Sequence, residues 1–233
     1  MLAPLALLKR LQLNRSVRRH SDSIMALRTA GVGRCTRCGH EAAKSKMAAH
    51  LAACVVAHGG GDPLQSLILY RFEAAHDSRY WIYAEARANA SLRHLDAFLR
   101  KLWLECCGHL SAFYADRREL AISAVATLAF GAPGTKIRYE YDFGSTTTLV
   151  GQVVSVHHGA KGRDFVRLLA RNAPLEMPCV RCAAPATVVC PYCLDEGEAL
   201  FCETHAGSHE HADEEVFLPV VNSPRMGVCG YTG

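Results

Sequence analysis

The residues best suited to chemistry are cysteines and histidines crowded into "CVRCAAPATVVCPYCLDEGEALFCETHAGSHEH", residues 179–211. This segment holds five cysteines and three histidines in 33 residues. Thiolates and imidazoles at such spacings are typical zinc ligands, and four of them close a tetrahedral structural site. The eight donors therefore predict two zinc sites without remainder. They are Cys179, Cys182, Cys190, Cys193, Cys202, His205, His209 and His211.

Two ways of sharing these donors are open. In a cross-brace, one zinc is bound by Cys179, Cys182, Cys202 and His205, and the other by Cys190, Cys193, His209 and His211. In a sequential layout, the four early cysteines bind one zinc, and Cys202 and the three histidines bind the other. The loop "AAPATVV" resembles that of the cross-brace modules of the B-box, MYND and HIT type, which favours the first pairing. The segment has few aliphatic residues, so metal binding and folding should be one event.

A third group of donors lies near the N-terminus in "CTRCGHEAAKSKMAAHLAAC". Its pattern is Cys35-x(2)-Cys38-x(11)-His50-x(3)-Cys54, which matches zinc-finger spacing with a final Cys in place of His. His50 and Cys54 are four apart in an Ala-rich segment, so a helix would turn both to the same side. A closed site of four ligands leaves no open coordination position, which predicts a structural role and not a catalytic one. The chain is thus expected to bind about three zinc ions.

Three cysteines remain, and they give weaker predictions. "WLECCGHLSAF" suggests a catalytic pair of Cys107 and His109, but nothing marks an oxyanion hole or an orienting acid. Cys106 and Cys107 at the end of an apolar helix are more typical of core residues. Cys229 is a spare ligand in case His211 is not one. No catalytic residue and no organic cofactor is predicted, although an enzyme that uses Asp142, Glu140, His157 or His158 around a fourth metal is a further alternative.

Charge divides the chain into a basic beginning and an acidic end. Residues 1–34 carry seven Lys or Arg and one acid, whereas residues 176–215 carry nine acids and one base. A basic arm beside a zinc finger indicates DNA or RNA as a partner, and the acidic module indicates a protein partner. The C-x-x-C pairs with neighbouring histidines favour metal binding in a reducing cytoplasm over secreted disulfides. No run of about 20 apolar residues predicts a membrane span.

Between the Cys/His segments the sequence predicts a folded domain. "LQSLILYRFE" and "RYWIYAEA" read as a β-hairpin, and "SLRHLDAFLRKLWLE" repeats apolar residues at helical steps. In "KIRYEYDFGSTTTLVGQVVSV" aromatic and charged residues alternate up to a Gly144–Ser145 turn, which predicts a second hairpin. "DFVRLLARN" is predicted to be a last strand. These elements give an α+β central domain flanked by two small zinc-stabilised modules.

The strand "YEYDFG" and its following turn, preceded by a hairpin and "LRHLDAFLRKLWLECCGHLSAF", resemble the Ri-plasmid open-reading-frame-three-like family. That family occurs on bacterial plasmids and mobile elements, and the resemblance covers about residues 64–172. It implies an α+β domain in a bacterial protein and no established activity.

The sequence therefore predicts six segments. They are a basic disordered arm (1–33), a zinc finger (34–57), a linker (58–63), the plasmid-family α+β domain (64–175), the two-zinc Cys/His module (176–215) and a tail (216–233). The expected function is that of a zinc-binding, non-enzymatic nucleic-acid-binding or regulatory protein. The alternative is a protein–protein interaction scaffold in which every zinc is structural.

Overall fold

The computed structural model describes residues 31–58, 65–130, 132–159, 163–212 and 216–233. Residues 1–30 of the predicted basic arm and residues 59–63 of the predicted linker lie outside the described residues.

Nine antiparallel strands form the main sheet, in the order β2-β1-β9-β4-β3-β8-β7-β5-β6. They are β1 (Val32–Cys35), β2 (Glu41–Ala43), β3 (Gln65–Ala74), β4 (Trp81–Arg87), β5 (Ser111–Ala115), β6 (Arg118–Leu120), β7 (Lys136–Tyr141), β8 (Thr147–Gly159) and β9 (Val166–Asn172). Strands β3–β4 and β7–β8 pair as the two hairpins that the sequence predicts. In β7, buried Ile137, Tyr139 and Tyr141 alternate with the exposed Lys136 and Arg138, as a half-buried strand requires.

One face of the sheet is covered by the predicted amphipathic helix. Helix α2 (Leu92–Leu99) continues as a π-helical turn (Arg100–Leu104). Its apolar stripe of Leu92, Leu95, Leu99 and Trp103 is fully buried against the sheet's aromatic and aliphatic side chains. A short helix, α3 (Ala126–Phe130), adds Phe130 to this core. The π-helical turn ends at Leu104, and a loop over residues 105–110 follows it.

The opposite face is covered by the N-terminal Cys/His segment. Helix α1 (Lys44–His58) packs Met47 and Leu51, both fully buried, against a second core that includes Trp81 and Tyr83. Strand β1 pairs with β9, so this segment belongs to the main sheet. The Lys44 ammonium lies 2.8 Å from the Glu73 carboxylate. The finger is therefore docked on the sheet by backbone, apolar and ionic contacts together.

The C-terminal Cys/His segment builds a second, much smaller sheet. Its strands are β10 (Val188–Val189), β11 (Leu200–Phe201) and β12 (Leu218–Pro219), with β10 in the middle. A 3-10 turn (Pro191–Cys193) and helix α4 (Glu203–Ala206) complete it. Among the described residues, its apolar core has five buried members, and two of these are cysteines.

The prediction of an α+β central domain needs correction. The described chain is mostly antiparallel sheet with few helices, so the central domain is sheet-rich. The helical pattern of α2 is real, but it spans eight residues before the π-helical turn, whereas the sheet recruits short strands from the finger and from residues 111–120.

The close approach of β1 to the sheet generates a prediction at Gly33. A Cβ there would lie 2.3 Å from the Arg171 carbonyl oxygen and 2.4 Å from the Trp81 ring. Gly33→Ala should therefore lower the free energy of unfolding by about 1–3 kcal/mol through overpacking. Chemical unfolding at fixed zinc concentration measures the change.

The matched control is Gly31→Ala, two residues away, where a Cβ meets no described atom within 4 Å. It should leave the free energy of unfolding within about 0.5 kcal/mol of wild type. Equal stability of the two variants would show that β1 does not dock against β9 and Trp81 as described.

Candidate metal centres

The four donors of the predicted finger converge. Cys35 ends β1, Cys38 follows in a turn closed by Gly39 at φ 75°, and His50 and Cys54 lie one turn apart on α1. The Sγ atoms of Cys35 and Cys54 are 3.9 Å apart, and Cys38 Sγ lies 3.3 Å from His50 Nε2. All four donor atoms lie within 4.8 Å of one another. The spacing thus delivers three sulfurs and one nitrogen to a single point.

These distances fit a bound zinc ion. Zinc–sulfur and zinc–nitrogen bonds of about 2.3 and 2.05 Å place tetrahedral S···S and S···N edges at about 3.8 and 3.5 Å. A disulfide would need sulfurs about 2.05 Å apart, and all eleven cysteines of the chain are free thiols. The donor set and its edges are therefore those of a closed tetrahedral site.

The finger's knuckle is fixed to the sheet by hydrogen bonds. The Thr36 backbone N–H donates to the Leu169 carbonyl at 2.8 Å, and its hydroxyl donates to the Leu168 carbonyl at 2.9 Å. The Tyr83 hydroxyl donates to the Lys44 carbonyl at 3.0 Å at the start of α1. The ligands are thus positioned by the sheet as well as by the finger itself.

The first group of the C-terminal module contains Cys179, Cys182, Cys202 and His205. Cys182 Sγ and Cys202 Sγ are 3.9 Å apart, and His205 Nδ1 lies 3.5 Å from Cys179 Sγ and 3.2 Å from Cys202 Sγ. Cys202 precedes α4, and His205 stands on it, so the helix presents both donors to the first knuckle.

The second group contains Cys190, Cys193, His209 and His211. Cys190 Sγ lies 3.3 Å from His211 Nδ1, Cys193 Sγ lies 3.4 Å from His209 Nε2, and the two ring nitrogens are 3.2 Å apart. The ring of His209 packs against Phe201 at 4.4 Å between centroids. The two histidines are therefore held in the site by packing and are not an exposed polar tail.

The structure divides the eight donors as the cross-brace does and not as the sequential layout does. The strand β10 lies between the two knuckles and pairs with β11, which leads into Cys202. Because donors of the two groups alternate along the chain, the two sites belong to one structural unit. Since so few apolar residues are buried here, a metal ion bound at these donors would stabilise the folded module.

Burial shapes the acid–base behaviour of the thiols. It raises the pKa of Cys54 to about 11 and the pKa of Cys193 to about 11, because a buried thiolate loses its hydration. A thiol must ionise to ligate zinc, so metal binding at these sites releases protons and weakens at low pH.

A fourth group is present that the sequence does not predict as a site. Cys106, Cys107, His109 and Cys229 bring their donor atoms within 4.8 Å of one another. Cys229, which the sequence offers as a substitute for His211, lies instead beside Cys107 and His109. With this group, all eleven cysteines belong to the four groups of potential ligands. The only sequence clue is that three cysteines and a C-x-H pair are left over.

The other candidates for a further metal site do not come together. Within the described ranges, no group of three or more metal-ligand side chains includes Glu140, His157 or His158. Asp142 binds the Arg225 guanidinium at 2.5 Å. His157 bonds Glu85 at 3.0 Å.

Glu85 is a buried charge that links the finger to the sheet. Only 1% of its side chain is exposed, and its carboxylate lies 2.5 Å from Arg167, 3.0 Å from His157 and 3.5 Å from Arg37, inside the Cys35–Cys38 knuckle. Burial opposes its ionisation, but the hydrogen bond from His157 and the charge of Arg167 outweigh burial and hold the pKa of Glu85 below its usual range.

Comparison with known proteins identifies no family. No protein-family model matches the chain, and no curated protein matches it. Among solved structures, the chain is similar to a protein of unknown function from Methanosarcina mazei Go1, at 10% sequence identity and a TM-score of 0.40. The match covers 46% of this chain and 69% of that one. The resemblance to the Ri-plasmid family therefore stays a prediction.

None of the helices in the described ranges is long and apolar enough to cross a lipid bilayer.

The two pairings of the C-terminal module predict different ligand sets, which ¹¹³Cd NMR of the cadmium-exchanged protein distinguishes. The cross-brace gives one site with three sulfurs and one nitrogen and one with two of each. The ¹¹³Cd resonance of the second site should couple to the ring protons of both His209 and His211. A site with four sulfurs beside one with three nitrogens would instead establish the sequential layout.

The Glu85 network predicts a pH-dependent stability. Because the pKa of Glu85 is lower in the folded state, its contribution is fully present above the unfolded pKa of about 4.3 and is lost as the pH falls through the folded value. Glu85→Gln should cost about 3 kcal/mol at pH 7, since it leaves the arginines uncompensated. The difference from wild type should shrink in acid.

Chemical unfolding of both proteins at matched pH values measures this difference. Glu119→Gln on strand β6 is the control, because Glu119 is exposed. A Glu85→Gln variant as stable at pH 7 as the control would refute the role of Glu85 in docking the finger.

Proposed function

We propose that this chain is a non-enzymatic binding protein of the cytoplasm in which zinc holds the binding surfaces in place. The observation that carries this proposal is that each predicted group offers four Cys or His donors within 4.8 Å of one another. Four protein ligands fill a tetrahedral zinc, so no position remains for a catalytic water or a substrate. In a reducing compartment the eleven thiols stay available to the metal.

The proposed partner is DNA or RNA, contacted through its phosphates. Residues 1–34 carry a net charge of +6, seven bases against one acid, and this segment leads directly into the docked finger. Polyanions attract such segments by counterion release, without reading sequence. The finger then acts as the anchor that joins the basic segment to the sheet.

The finger's helix is a poor reader of bases. One face of α1 is buried on the sheet through Met47 and Leu51, and its exposed positions include Ser45, Lys46 and three alanines. Direct readout requires side chains such as Arg, Asn or Gln that can reach base edges. We therefore expect binding that depends strongly on salt and weakly on sequence.

Fluorescence anisotropy on two unrelated duplexes tests the proposal with the full chain. Six phosphate contacts, one for each net positive charge of the segment, would give a slope of log K against log salt of about −5. Changing Arg18 and Arg19 to Gln should reduce the slope by about 2 and weaken binding equally on both duplexes.

The matched control changes Arg117 and Arg118 to Gln, an exposed adjacent pair on the main sheet's edge. It should keep the wild-type slope. No binding at low salt, or the same loss in both double variants, would contradict contact through the basic segment.

The C-terminal module favours a second candidate function, docking of a protein. Residues 176–215 hold nine acids and one base, which makes them a poor phosphate binder. Tyr192 and Val180, on the two knuckles, are 60% and 39% exposed. Exposed apolar side chains on an acidic segment suit a partner with a basic rim. The module would serve this role whether or not the basic segment binds nucleic acid, so a failure of the anisotropy test leaves this function as the better account.

On the motif "YEYDFG" alone, we also propose that residues 64–172 belong with the Ri-plasmid open-reading-frame-three-like proteins, and hence with bacterial mobile elements.

A further inference from the structure

We propose that Cys106, Cys107, His109 and Cys229 form a fourth zinc site, whose role is to latch the C-terminal tail onto the main sheet. The first three ligands lie in the loop that follows the π-helical turn, and the fourth, Cys229, lies four residues before the last residue, Gly233. The site is independent of the proposed partner.

The geometry of this group matches that of the three predicted sites. His109 Nε2 lies 3.0 Å from Cys107 Sγ and 3.2 Å from Cys229 Sγ, and Cys107 Sγ lies 3.7 Å from Cys229 Sγ and 3.8 Å from Cys106 Sγ. A zinc-centred tetrahedron has S···S edges of about 3.8 Å and S···N edges of about 3.5 Å. Both S···S distances are far too long for a disulfide.

The surroundings of His109 are those of a metal-bound imidazole. Its Nδ1 lies 3.5 Å from the Asp142 carboxylate, on the opposite side of the ring from the thiols. Asp142 is in turn held by the Arg225 guanidinium at 2.5 Å. A carboxylate behind the imidazole fixes its orientation and strengthens the nitrogen as a ligand. This arrangement gives Asp142 of the "DFG" turn a positioning role that the sequence does not reveal.

Hydrogen bonds hold the C-terminal tail in the position that brings Cys229 to the other three donors. Arg225, which has no exposed surface, donates to the Ser145 carbonyl at 2.9 Å, and its guanidinium lies 3.5 Å from Cys106 Sγ. The Ser223 hydroxyl donates to the Trp103 carbonyl at 2.6 Å. Beyond Arg225 the chain turns so that Cys229 adopts φ 51°, a left-handed conformation that is unfavourable for a non-glycine residue. A coordinate bond at Cys229 offsets this cost.

The fourth site would join parts of the chain that are far apart in sequence. Cys107 and Cys229 are 122 residues apart, whereas the ligands of the finger span residues 35–54 and those of the C-terminal module span residues 179–211. Closing so long a loop lowers the entropy of the unfolded chain more than closing a short one. This zinc therefore joins the part of the chain after the module to the part before it.

A catalytic Cys–His–Asp relay is the competing interpretation of these residues. In such a relay one thiol faces one imidazole nitrogen. Here two thiols lie within 3.2 Å of His109 Nε2, and a third completes the group. Several donor atoms that surround one point are arranged as metal ligands are, and not as a nucleophile and its general base are.

Native mass spectrometry of the full chain tests the site. Wild type should carry four zinc ions, one for each group. The double variant Cys107→Ser with Cys229→Ser should carry three, and amides of residues 223–231 should exchange with deuterium about tenfold faster or more. Thr232→Ser, a tail control that touches no ligand, should keep four zinc ions and wild-type exchange. Three zinc ions in both wild type and the double variant, or four in both, would overturn the proposal.

Alkylation of wild type keeps the test independent of how the variant folds. Cys107 and Cys229 are exposed, so as free thiols they would be accessible to excess iodoacetamide. Peptide mapping of the zinc-loaded protein should find both labelled more slowly than after a chelator is added. Labelling at the same rate before and after chelation, or a disulfide between them, would overturn the site.

Discussion

The convergence of eleven thiols and five imidazoles into four groups of four donors is the constraint on which the rest of this structure depends. Each group brings together donors from separate elements of the chain. In the C-terminal module, two of the five buried residues of the apolar core are themselves members of a donor group. If zinc fills the groups as proposed, folding is coupled to metal binding, and four protein ligands leave no coordination position for a catalytic water.

The main sheet joins the finger and helix α2, which pack on its two faces. Helix α2 covers one face, and the finger covers the other by burying Met47 and Leu51 against Trp81 and Tyr83. The ion pairs of Glu85 with Arg37 and Arg167 lie across that second contact. Because one face of the finger's helix α1 is buried on the sheet, that face cannot enter a DNA groove. If the chain binds nucleic acid as proposed, this docking favours phosphate contact by the preceding basic residues over base reading.

Local patterns in the sequence predict local features well. The C-x-x-C knuckles, the four-residue step from His50 to Cys54 and the alternation in β7 each depend on contacts between near neighbours, and the structure contains all of them. The pairing of β1 with β9 joins residues more than 130 apart, and four-residue strands carry too little pattern to reveal it. The sequence does not predict the fourth group for the same reason, since Cys229 lies 120 residues from His109. Residues 117–130 hold only a three-residue strand and a five-residue helix, which are too short to carry a recognisable periodicity.

Elemental analysis of the purified full chain, joined to a chelator titration followed by NMR, measures whether metal at the Cys/His groups holds the structure. We expect four zinc ions per chain, one for each Cys/His group. Their removal should collapse the dispersed resonances of residues 179–211. A chain that contains less than one zinc, or that keeps those resonances after full chelation, would show that metal does not hold the structure.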